Sequence, residues 1–255
     1  MTLVVQDISH DYPSSPALAG VSATARPGRV TSLLGANASG KTTLLRIAAG
    51  LLSPSAGCVT WSGKDVGEFS AAHRAASISF LSQRPRQDVP LTVRQIIQLG
   101  RVRLDPDPHG AETIIGQLEL GSLLDRPFPA LSVGQQQRVH VARVLHQHQA
   151  GGLIILDEPT APMDPRHAAL TLQMLQERAL NGATILLSMH DIGLASSCSD
   201  DAWLLDGGSL ACAGPANDVL EPARLQGAFG LAYEWVERHD GTHWLVPGSF
   251  HNKVE

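Results

Sequence analysis

The 255-residue sequence predicts an α/β domain built on a mainly parallel sheet, and three observations carry the prediction. Short apolar runs recur at residues 30–34, 78–81, 153–156, 184–187 and 202–205, mostly unbroken by polar residues, as in strands buried on both faces. Helical stretches alternate with them, most clearly at 41–51, 93–101, 135–147 and 166–179, the order expected of parallel strands joined by crossover helices. The first run also leads directly through a glycine-rich loop into a helix. No linker divides the chain, so residues 1–255 read as one domain.

Taken in order, residues 2–27 and 58–61 read as short antiparallel strands, an antiparallel β subdomain near the start. Residues 90–148 are mainly helical between two strand regions and read as a helical insertion. A tail at about 203–247 carries two hairpin signals. One is Gly207-Gly208 between 203–205 and 209–211; the other is Asp240-Gly241 between 233–238 and 242–246. Such dipeptides accept the positive φ that two-residue hairpin turns require.

Composition removes several function classes. At 43% hydrophobic, 17% charged and net charge -5, the chain has no basic field for wrapping nucleic acid, and no nucleic-acid partner is expected. Cys58, Cys198 and Cys212 are odd in number, widely spaced and in no metal-binding pattern, so they read as small apolar fillers in a reducing cytosol. The longest apolar runs fall far short of the roughly 20 residues that span a bilayer. The N-terminus lacks a charged-then-apolar leader pattern, so any action at a membrane would need a spanning partner.

Gly35-Ala36-Asn37-Ala38-Ser39-Gly40-Lys41-Thr42 matches G-x-x-x-x-G-K-[ST] between a strand and a helix, the setting this phosphate loop requires. Its backbone N–H groups and the following helix N-terminus form an anion nest; Lys41 supplies a cation for the β- and γ-phosphates of ATP, and Thr42 a hydroxyl for Mg²⁺. A lysine at a helix start opposes the helix dipole unless an anion sits there, which favours a ligand. Gly35, Asn37, Ala38, Ser39, Gly40 and Thr43 complete the expected ATP-binding set on this loop and helix. The run 153–156 ends in Asp157-Glu158, at the carboxyl end of the sheet where open α/β folds bind ligands. Adjacent strand residues point to opposite faces, so the two acids are expected to differ in role. Asp157 suits the Mg²⁺ shell, and Glu158 suits a general base that activates water for in-line attack.

Leu131-Ser132-Val133-Gly134-Gln135-Gln136-Gln137-Arg138 resembles the LSGGQ signature of the ABC ATPase family. By its residues alone, Ser132 with Gln135 three positions on has the form of a capping box, so Ser132 should begin a helix. The resemblance implies the P-loop ABC ATPase fold and places Ser132, Gly134 and Gln135 against ATP held by a second copy of the chain. Further landmarks follow in family order. Tyr12 resembles the adenine-stacking aromatic. Gln83 resembles the Q-loop glutamine that touches Mg²⁺ and the attacking water, and His190 the H-loop histidine on the γ-phosphate. Asp164 resembles the aspartate that joins the two subunits, and a helix N-cap before Pro165 is an equally physical reading. His146 and His148, two apart on an expected helix, do not share a face and make a poor metal pair.

Two positions depart from the family pattern, Ala38 and Val133, each standing where the family usually has glycine. If position 133 needs positive φ or close approach to phosphate, a β-branched residue costs stability or geometry; if it is the first helical residue, valine is tolerable.

The stretch Leu91-Thr92-Val93-Arg94-Gln95-Ile96-Ile97-Gln98-Leu99-Gly100-Arg101 resembles importer subunits for ferric siderophores, haem and cobalamin. So does the tail, with Gly214-Pro215, Val219-Leu220, Phe229-Gly230 and a short hairpin ending at Pro247. This resemblance implies an ATPase that powers import as a homodimer, coupled to polytopic membrane permease subunits and indirectly to an external substrate-binding protein. It also implies a peripheral position on the cytoplasmic face of the inner membrane. Rival readings are a soluble ABC ATPase serving a process such as cofactor assembly, and a regulator that binds ATP without hydrolysing it.

Overall fold

The computed structural model describes residues 1–13, 15–83, 90–237 and 243–248. Its central sheet has six strands in the order β10-β9-β3-β8-β7-β6. They are β3 (Arg29–Leu34), β6 (Ile78–Leu81), β7 (Leu153–Asp157), β8 (Thr184–Ser188), β9 (Asp201–Asp206) and β10 (Ser209–Pro215). All neighbours pair parallel except β9 and β10, which form the antiparallel hairpin expected at Gly207-Gly208, where both glycines have positive φ. A second, wholly antiparallel sheet, β2-β1-β4-β5, is built from β1 (Leu3–Tyr12), β2 (Ser15–Ala25), β4 (Ala56–Trp61) and β5 (Lys64–Asp65).

The central sheet is a wall between two apolar cores. In β7, Ile154 and Leu156 face one core while Leu153 and Ile155 face the other; in β8, Ile185 and Leu187 oppose Leu186 in the same way. Period-2 alternation therefore delivers apolar side chains to both faces, so these strands read as unbroken hydrophobic runs. One core is shared with the antiparallel sheet and α1 (Lys41–Ala48). The other contains α3 (Val93–Leu99), α4 (Pro108–Gln117), α5 (Val133–Gln147), α6 (Pro165–Leu180) and α7 (Ile192–Cys198).

α1 is shorter than the expected 41–51. Gly50 takes φ +66 just beyond it, and the N–H groups of Gly50 and Leu51 turn back to Ile47 O and Arg46 O, each at 2.9 Å, the closure by which a left-handed glycine ends a helix. α2 (Ala71–Ser77) precedes β6. α3 starts with a full capping box between Thr92 and Gln95 and ends at Gly100. A Cβ on Gly100 would lie 2.4 Å from Arg143 O, so glycine lets α3 press backbone to backbone on α5. Arg101 then donates to Asp105 O at 2.5 Å and His146 O at 3.3 Å. The Leu-Gly-Arg stretch thus has a local physical basis: a cap, a close approach and a clasp.

The tail continues through α8 (Ala216–Val219) and α9 (Pro222–Phe229) to β11 (Tyr233–Glu237) and β12 (His243–Pro247), which pair antiparallel. The Asp240-Gly241 turn lies outside the described residues. β12 packs on α7, with Leu245 buried and its N–H donated to Ser196 Oγ at 3.3 Å. Among the described residues, no helix is long and apolar enough to cross a membrane.

Candidate nucleotide site

The loop between β3 and α1 is shaped by two glycines. Gly35 (φ +147) would place a Cβ 2.4 Å from Leu205 O, and Gly40 (φ +100) would place one 2.6 Å from Ala17 O. Neither position admits a side chain. Ala38 sits at φ +62, a conformation that costs an L-residue roughly 1–2 kcal/mol. Gly40 caps α1 without a side-chain hydrogen bond, so the first-turn N–H groups face the groove without a side-chain acceptor. Ser39 Oγ is buried with no hydrogen-bond partner among the described residues. Both features fit an anionic ligand.

Lys41 is 6% exposed, and its Nζ donates to Gly35 O at 2.7 Å and Ala36 O at 2.9 Å. Burial pushes its pKa below the ordinary lysine value, while Glu158 and Asp157 pull it back up. The ammonium is therefore oriented, dry and close to two acids, and a phosphate arriving there would meet a weakly hydrated cation.

The acids occupy distinct settings. Asp157 is 1% exposed; Oδ2 accepts from Thr42 Oγ1 at 2.8 Å and Oδ1 from Ser188 Oγ at 2.6 Å. Thr42 and Asp157 thus converge as hard oxygen donors, the kind of set that suits Mg²⁺. Glu158 differs for a reason other than strand alternation, which corrects the sequence reading: it lies beyond the end of β7, at φ +51. The turn sends its carboxylate to Gln83 and His190, with Gln83 Nε2 at 2.8 Å and His190 Nε2 at 2.5 Å from Oε1.

Tyr12 closes the other end at the tip of β1. Its ring meets His10 edge-on at 4.9 Å, and its hydroxyl lies 3.4 Å from Thr43 Oγ1. Together these residues line a groove of about 320 Å³, walled by Tyr12, residues 37–43, Gln83, Glu158 and His190. Ser15, Pro16 and Ala17 of β2 complete the wall.

Six expected residues do not line this groove: Gly35 and Asp157, which act on it through Lys41 and Thr42, and Ser132, Gly134, Gln135 and Asp164. Ser132 and Gln135 form both halves of a capping box at the start of α5. Val133 is the first helical residue, 62% exposed and without positive φ, which is the tolerable case for a β-branched side chain. A Cβ on Gly134 would lie 2.8 Å from Pro162 O, so this glycine is required by close approach. Asp164 is the N-cap of α6 before Pro165, accepting from His167 N at 3.0 Å and contacting His167 Nδ1 at 2.6 Å. These bonds hold its carboxyl below the usual range. His146 lies in the last turn of α5 and His148 is its C-cap, off the helix proper.

Two residues absent from the sequence-level set touch the acids. Ser188 accepts the Glu158 N–H at 2.9 Å. Gln137 Nε2 donates to Glu158 O at 3.3 Å and Pro159 O at 3.1 Å. The sequence offered faint signals: Ser188 is the polar last residue of an apolar strand, two before His190, and Gln137 lies one residue before the end of the quoted signature segment.

Comparison with known proteins agrees with this geometry. The profile of the ABC transporter family matches residues 18–161. The hemin import ATP-binding protein HmuV of Pseudomonas entomophila is 36% identical over 230 residues, covering 86% of this chain and 88% of that protein. Its namesake from Bradyrhizobium diazoefficiens is 33% identical over 240 residues, covering 91% and 89%. In fold, the chain matches a metal-chelate type ABC transporter solved in an inward-facing conformation, with TM-score 0.79, 22% identity and 98% of each chain covered. A phosphate loop, a capped signature helix and an acidic strand end in family order, with relatives matched over most of their length, leave one assignment: the chain belongs to the ABC transporter family, as an ATP-binding ATPase.

Proposed function

We propose that this chain powers import of haem or a related iron chelate, as a homodimer seated on polytopic permease subunits at the cytoplasmic face of the inner membrane. The observation that carries the catalytic part is the convergence of Glu158, Gln83 and His190 at one end of a groove whose other wall is the Lys41 loop. The cargo class is supported by relatives named for hemin import and matched over most of their length.

In this reading the loop N–H groups and Lys41 bind the β- and γ-phosphates of ATP, and Tyr12 stacks on the adenine. Glu158 takes a proton from the attacking water as its oxygen bonds to the γ-phosphorus and the bond to the bridging oxygen breaks. Gln83 orients that water, and His190 steadies the γ-phosphate. Bound Mg²⁺, held by Thr42, Asp157 and Gln83, would neutralise phosphate charge. Ser132, Gly134, Gln135 and Asp164 act on the groove of the second copy, which fits their position outside their own groove. ATP-driven closure of the two copies then shifts the permease between orientations. An external substrate-binding protein delivers cargo without touching this chain.

The test is gentle purification from native membranes, followed by uptake into vesicles of the recovered complex with haem, ferric siderophore and cobalamin offered separately. ATP-dependent haem uptake is expected. Uptake of another cargo alone would reassign the substrate, and recovery with soluble partners only would overturn the importer reading.

A further inference from the structure

We propose that Ser188 is a positioning residue for hydrolysis: its hydroxyl ties Asp157 to the backbone of Glu158 and holds that backbone in the turn that aims Glu158 at Gln83 and His190. The inference rests on the reading of Glu158 as the general base.

Ser188 ends β8, is fully buried and stands beside Asp157 in the parallel register. The three residues before it, Ile185, Leu186 and Leu187, are apolar and fully buried. A small apolar residue would satisfy packing here equally well, so the hydroxyl calls for another explanation. Its hydrogen-bond polarity is fixed. An amide can only donate, so the 2.9 Å contact with Glu158 N uses a serine lone pair and leaves the one hydroxyl proton for Asp157 Oδ1 at 2.6 Å. Asp157 Oδ2 in turn accepts from Thr42. One polar chain therefore runs from the phosphate-loop helix through Asp157 and Ser188 to the backbone of Glu158.

That backbone needs holding. Glu158 has φ +51, a region that residues with a Cβ enter reluctantly and keep when their surroundings over-determine it. Its N–H is gripped by Ser188 and its carbonyl by Gln137. With the N–H released, the peptide can relax toward ordinary extended geometry, and the carboxylate leaves the point where Gln83 and His190 meet it.

The experiment compares wild type with Ser188→Ala and with Ser188→Cys, a near-isostere whose sulfur is a weak acceptor. Turnover with MgATP, KM, nucleotide affinity, thermal midpoint and hydrogen exchange at the Glu158 amide are measured. Loss of this buried bond should lower kcat about tenfold while KM and affinity stay within about twofold, and it should speed exchange at Glu158. In a Glu158→Gln background, Ser188→Ala should lower residual hydrolysis no further, because a base already absent cannot be misaimed. Wild-type kcat in either folded variant would overturn the proposal, as would kcat, affinity and thermal midpoint declining together. If Glu158→Gln itself keeps full turnover, the base assignment falls; if it is inactive while Ser188→Ala is fully active, only the role of Ser188 falls.

Discussion

His140 should make the folded chain acid-sensitive. It lies within α5, 6% exposed, with Phe128 edge-on at 4.9 Å and neither ring nitrogen hydrogen-bonded among the described residues. Burial, reinforced by the charge of Arg143, pushes its pKa down from 6.5 to about 4. The unfolded chain, with an ordinary imidazole, begins to take up a proton near pH 6.5. Between these values the unfolded state binds more protons, so stability rises with pH: it is complete above about 6.5 and falls as pH drops toward 4. The full gap of about 2.5 pKa units at 1.4 kcal/mol each is roughly 3.5 kcal/mol, and by pH 4.5 most of it, roughly 3 kcal/mol, applies. For a chain of this size that is roughly 6–12 °C in melting temperature. Melting curves from pH 7.5 to 4.5 for wild type and His140→Leu provide the assay, since leucine cannot titrate. Whatever the leucine costs in packing, its difference from wild type should shrink or reverse by that amount on acidification. Parallel pH profiles would refute the reasoning.

Glu158→Gln should retain nucleotide binding and lose turnover by two orders of magnitude or more, on the order of the effect of removing a general base; full turnover would remove Glu158 from that role. Ala38→Gly relieves left-handed strain of roughly 1–2 kcal/mol and returns about half through unfolded-chain entropy. Its melting temperature should rise by roughly 1–3 °C, and a fall would contradict the strain argument. Gly134→Ala must move the backbone near Pro162 and should cost roughly 1–3 kcal/mol in chemical denaturation; an unchanged midpoint would show that the contact yields freely. Val133→Gly alters an exposed first-turn position, so turnover should stay within about twofold. A large gain would mean that valine throttles the enzyme.

The sheet was legible because strands buried on both faces leave runs such as 153–156 and 184–187, and each run became a parallel strand at nearly its expected bounds. The capping box at Ser132 was equally legible, since its bonds span three residues and need no distant partner. Features that depend on distant backbone were not. The need for glycine at 134 is set by the Pro162 carbonyl. The turn at Glu158 is held by Ser188, thirty residues away, and by Gln137 on α5. Sequence patterns report which face a residue turns toward the core; they are silent about which carbonyl or hydroxyl arrives there.

The seat of Gly100 on α5 has a mechanical consequence. With α3 pressed on the Arg143 carbonyl and Arg101 clasping that of His146, the two helices have no soft layer of side chains between them at that point. A push on α3 would therefore reach the backbone of α5 directly. Eleven residues separate Arg143 from Ser132, roughly 16 Å of helix at 1.5 Å per residue. The close contact with α3 and the capped turn bearing Ser132 and Gly134 are thus two ends of one rigid span.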